Sequence, residues 1–77
     1  MRIIHSLHWR EKRKDRKNIT DDLIEYCILH SKVIRDKHWD DAFNALLRMP
    51  QTGRVLKVVY VWTKKGNVSV ITAFWIN

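Results

Sequence analysis

One cysteine, one proline and two glycines are all that 77 residues hold of the types that staple, break or bend a chain. The single Cys27 excludes an internal disulfide framework and a zinc site built on cysteines alone. Two glycines leave no Gly-rich phosphate loop, and with one proline they exclude collagen-like and linker-like character. No apolar run nears the roughly 18 residues of a membrane span. Met1–His5 lacks the apolar stretch of a secretory signal. The expectation is therefore a soluble, cytoplasmic chain without membrane association. Acids are scarce as well: eight Asp and Glu stand against fifteen Lys and Arg, a net charge of +7. Hydrophobic residues make up 45% and charged residues 30%, which suits a folded globule rather than a disordered tail. The length allows one small domain, 1–77, and no large cofactor-binding fold.

What charge there is clusters. Residues 1–17 carry seven bases and two acids, a net of +5. Residues 18–53 carry four bases and six acids, a net of −2. Residues 54–77 carry Arg54, Lys57, Lys64 and Lys65 with no acid, a net of +4. Two basic ends around an acidic middle form a basic face if the ends meet in the fold. The partner such a face fits is a polyanion, RNA or DNA. Solubility alone is the plainer reading of the same charge.

The pattern along the chain predicts an α+β domain of two to three short helices packed on a small antiparallel sheet. Ile3 and Ile4 suit a short first strand. Ser6 suits the N-cap of a helix running to about Lys17, with Leu7 and Trp9 as its only clear apolar residues. So polar a helix has little to pack with. Thr20 caps a second helix whose Asp21 and Asp22 complement the dipole. Leu23, Ile24, Cys27 and Ile28 follow at core spacing to about His30. Lys32–Arg35 suits a short strand. Asp40 or Asp41 opens a third short helix with Phe43, Leu46 and Leu47 on one face, stopped at Met49-Pro50. Val55–Thr63 and Val68–Ile76 form a long C-terminal β-hairpin around Lys64-Lys65-Gly66-Asn67. Pairing Thr63 with Val68 puts Leu56, Val58, Tyr60, Ile71, Ala73 and Trp75 on one face. The opposite face is nearly as apolar. The helices can cover one face, so the Tyr60/Trp75 face, with Val58 and Ile71, is the expected interface of a homodimer or a partner protein.

Three constellations could carry chemistry. His5, His8, Lys12 and Arg16 recur at helical spacing near one stripe. Trp9 and Arg13 suit a cation–π pair. Arginine forks and lysine ammonium groups hold phosphate, and a histidine moves a proton near neutral pH. His8 or Lys12 would then serve proton transfer to and from a ribose 2′-hydroxyl. Arg13, Arg16 and Arg54 would hold the phosphate, flanked by Arg10, Lys14, Lys17 and Lys57. Taken singly, each also suits a plainer role: His8 on a solvated helix, Lys57 at a sheet edge, Thr72 as a β-former. The pairs His5/His8 and Cys27/His30 lack a familiar zinc spacing, so no metal or other cofactor is expected.

These motifs together resemble a family of small prokaryotic proteins related to the BrnT and RelE toxins. The resemblance rests on His8-Trp9-Arg10-Glu11-Lys12-Arg13, on Ile19-Thr20-Asp21-Asp22, on Gly53–Tyr60 and on Ile71–Trp75. It implies helices packed on an antiparallel sheet. It also implies a metal-independent endoribonuclease, RNA as substrate and a neutralising antitoxin as partner. Carried over residue by residue, the family's histidine falls on His8, with His5 as rival. Its arginines fall on Arg16 and Arg54, and its last-strand threonine on Thr72.

Overall fold

The computed structural model describes residues 1–35 and 41–76. The chain is α+β. Strand β1 (Ile3–His5) leads into helix α1 (Leu7–Lys12) and a 3₁₀ turn (Arg13–Asp15). Helix α2 (Asp21–His30) and strands β2 (Lys32–Arg35), β3 (Phe43–Arg48), β4 (Val55–Trp62) and β5 (Val68–Trp75) follow. The strands form one sheet in the order β1-β5-β4-β3-β2. β1 runs parallel to β5, and all other pairs are antiparallel. The meander from β2 to β5 thus returns the C-terminal strand to the N-terminal one. The Val68 amide donates to the Arg2 carbonyl at 2.9 Å, so the two basic ends do meet.

Both helices lie on one face of the sheet. Ser6 caps α1 by accepting from the Trp9 amide at 3.2 Å, and Thr20 caps α2 by accepting from the Leu23 amide at 3.3 Å. α2 buries Ile24, Cys27 and Ile28 against a floor that includes Ala45, Leu56, Val58 and Tyr60. The small Ala45 and Cys27 side chains permit close approach, and the Cys27 thiol reaches the carbonyls of Ala45 and Leu56, each at 3.6 Å. α1 is shorter than its polar pattern predicts, because the chain tightens into the 3₁₀ turn at Arg13. It is also a better cover than expected. Trp9 is wholly buried with Val68 and Val70 in the same core, and so cannot stack on Arg13.

Two expectations fail in the C-terminal half. The third helix is strand β3, paired with β2 on one side and β4 on the other. Phe43, Leu46 and Leu47 fit helical spacing, but Phe43, Ala45 and Leu47 fit strand alternation equally well. Two ladders decide between six-residue alternatives. The expected start at Asp40 lies outside the described residues. The hairpin forms, but it carries a bulge between Val59 and Tyr60 where β5 holds one extra residue, Ile71. Val58 faces Ala73 as expected, whereas Tyr60 faces Val70 rather than Ile71. One inserted residue sends the next part of the strand to the other face. Val68 and Val70 thereby join the core, and Val58 and Tyr60 are wholly buried under the helices. This corrects the expected interface: neither side chain is on the surface. Ile71 is the half-buried bulge residue, and Trp75 is half-buried against the core.

Candidate functional site

The polar side chains converge where β1 ends, the 3₁₀ turn passes and α2 begins. His5, the last residue of β1, has a largely buried ring. Its Nε2 lies 2.8 Å from Oδ1 of Asp21, the first residue of α2. Its Nδ1 lies 2.8 Å from Nη1 of Arg13. Arginine can only donate, so Nδ1 must be the acceptor. The imidazole is then neutral, with its proton on Nε2 and donated to the Asp21 carboxylate. This Asp–His–Arg chain borders a concavity of about 410 Å³ lined by Arg13, Arg16, Lys17, Ile19, Thr20, Asp21 and Asp22.

Arg16 anchors the other wall. Its Nη1 donates to Thr72 Oγ1 and to the Ala73 carbonyl, each at 3.2 Å. β1 pairs β5 only through Val70, so the Ala73 carbonyl sits on the β5 edge beyond β1, and Arg16 satisfies it. Three cations and two carboxylates share the concavity, and one of the carboxylates is engaged by His5.

The expected stripe of His5, His8, Lys12 and Arg16 is broken up by the Ser6 cap and the 3₁₀ turn. Arg16 lines the concavity and His5 sits behind its wall, bonded to the lining residues Asp21 and Arg13, while His8 and Lys12 are exposed on α1. Among the described residues no hydrogen bond or ion pair reaches the His8 side chain. Arg10 and Lys14 are exposed too, and Lys14 meets Glu11 at 3.5 Å. Thr72 joins the site through Arg16. Arg54 does not. Its guanidinium stacks on Trp75 at 4.7 Å, five residues along β5 from Val70, where His5 pairs. At strand rise that is roughly 16 Å. Lys57 lies on the sheet face away from the helices, 5.7 Å from the Phe74 ring centre. Asp21 is the residue that sequence reasoning missed. It looks like an ordinary first-turn acid, and only the second acid beside it, Asp22, hints that one of the two has another use.

Cys27 and His30 do not act together. Burial pushes the Cys27 thiol up to about 11, which makes it a poor nucleophile. His30 stacks on Tyr26 with ring centres 4.3 Å apart. Among the described residues no three His, Cys, Asp or Glu side chains gather as metal ligands, and no helix is long and apolar enough to cross a membrane.

Fold and site together define a small basic α+β domain with a polar cleft, lined from the 3₁₀ turn to the start of α2, beside a largely buried histidine. No family model matches the chain, and comparison with curated proteins and with solved structures finds no relative or structural neighbour.

Proposed function

We propose that this chain is an RNA-binding, metal-independent endoribonuclease of the toxin type, with His5 rather than His8 as its base. The observation that carries the reading is the Asp21–His5–Arg13 chain bordering a concavity that also holds Arg16 and Lys17. Asp21 orients the ring and stabilises the imidazolium that forms when Nδ1 takes a proton, as carboxylates do beside catalytic histidines. Arg13 occupies Nδ1 at rest. A phosphodiester entering the concavity offers Arg13 a charged partner in place of a neutral one, and charge-assisted bonds are the stronger. Arg13 turns to the phosphate and frees Nδ1. Nδ1 then removes the 2′-hydroxyl proton, the 2′-oxygen attacks phosphorus, and Arg13 and Arg16 stabilise the added charge. We assign protonation of the leaving 5′-oxygen to Lys17, which lines the same concavity. The products are a 2′,3′-cyclic phosphate and a 5′-hydroxyl. The arrangement of helices on one face of a mostly antiparallel sheet supports a RelE-like or BrnT-like fold, and a neutralising antitoxin and a dimeric state belong to the same reading.

A second reading, a module that grips RNA or DNA without cutting, is favoured by one observation. Residues 42–77 hold five Lys or Arg and no acid, and none of these five bases lines the concavity. Incubating purified protein with mixed RNA, with and without chelator, separates the two. Cleavage that survives chelator and leaves cyclic phosphate ends is expected. Intact RNA that shifts in a gel supports the second reading, and no shift at low salt contradicts both.

A further inference from the structure

The sheet face opposite the helices is a floor of cross-strand rows. Asn44, Val59 and Thr72 form one row, and Leu46, Lys57 and Phe74 form the next. No described helix covers it. Its aromatic centre is Phe74, a half-buried ring flanked by two cations. The Arg16 guanidinium lies 5.8 Å from the ring centre and the Lys57 ammonium 5.7 Å. Arg16 is at the same time a wall of the concavity. One side chain thus joins the polar cleft to the opposite face at the edge of β5, where Val59 is buried and the Phe74 row beside it is half-buried.

We propose that Phe74 is a stacking platform for one base of a single-stranded nucleic acid, the base next to the phosphate held by Arg16. The proposal rests on the reading of the concavity as a phosphodiester site and extends it to the adjoining nucleotide. Charge selects the occupant. Strands β3 to β5 carry Arg48 and Lys57 and no acid, so the face they build attracts a polyanion. Aromatic rings accept any base by its π-face, whereas cations track the backbone. A stacked base is a stronger partner for the ring than a solvated lysine. The base therefore takes the place of the Lys57 ammonium over Phe74, and the ammonium turns to the following phosphate.

The test uses the full chain and a six-nucleotide 2′-deoxy strand, which cannot be cut by 2′-oxygen attack, beside an abasic strand of equal charge. The strand with bases should bind roughly 5- to 150-fold more tightly than the abasic one, the range of a single stacked base. Phe74→Leu keeps an apolar strand residue and should remove most of that preference while leaving abasic affinity unchanged. Lys57→Gln should lower the salt slope by about one phosphate contact, roughly 0.7 in log–log terms. Equal binding of the two strands, or a preference that survives Phe74→Leu, overturns the platform. If binding is then still lost in Arg13→Glu/Lys17→Glu, the concavity reading stands alone. Failure of both strands to bind at low salt overturns both readings. A dimer that Phe74→Glu converts to monomer gives the face to a second copy and also overturns the proposal.

Discussion

Cys27 and Tyr60 face each other's elements in the core, and both prefer to stay protonated there. Burial raises the thiol from 9.0 to about 11. Burial, then the neighbouring Cys27, raises the Tyr60 phenol. The unfolded chain therefore gives up these protons at lower pH than the folded one. Stability is complete below pH 9 and falls as pH rises through about 11. Denaturant melts between pH 7 and 11 should show this fall, and Cys27→Ala should flatten part of it. A slope identical in the two proteins would contradict the assignment. At the cleft, Arg13→Ala should raise KM for RNA and lower kcat as well, because Arg13 binds phosphate before the step and stabilises the charge added during it. Neither His5 nor Asp21 was legible in the sequence as a pair. Sixteen residues separate them, and only the return of α2 over β1 brings them together.

Caps and edges control the elements. Thr20→Ala removes the side-chain acceptor at the start of α2 and should cost about 1 kcal/mol. Since the next residue, Asp21, holds His5, fraying there should also slow cleavage. Trp9→Ala should cost roughly 3–5 kcal/mol, read by thermal or denaturant melts, because it empties the one buried position of α1. Arg16→Glu is not a neutral surface change: it leaves the Ala73 carbonyl and the Thr72 hydroxyl without their donor. Arg13→Glu with Lys17→Glu is the better charge reversal. α2 and the hairpin were legible because a capped apolar stripe and two β-branched runs each have one dominant solution. β3 was not, since six residues satisfy both periods. The bulge at Ile71 was not, since both hairpin faces are apolar and a one-residue slip leaves no mark in the pattern.

The whole molecule is organised by the parallel pairing of β1 with β5. That pairing brings a net of +5 from residues 1–17 beside a net of +4 from residues 54–77. The sequence showed the two clusters, but only the sheet order shows that they adjoin. About four phosphate contacts, through Arg13, Arg16, Lys17 and Lys57, imply a log–log salt slope near −3 for a single strand. A slope near zero would contradict an electrostatic grip. Central to the proposal is that His5, oriented by Asp21, removes the 2′-hydroxyl proton. Single-turnover cleavage of an end-labelled oligoribonucleotide in chelator, by wild type, His5→Ala and His8→Ala side by side, tests it most directly. His5→Ala should slow cleavage roughly 10²–10⁴-fold with binding little changed, and His8→Ala should cleave at nearly the wild-type rate. Full activity in His5→Ala, or loss confined to His8→Ala, would contradict it.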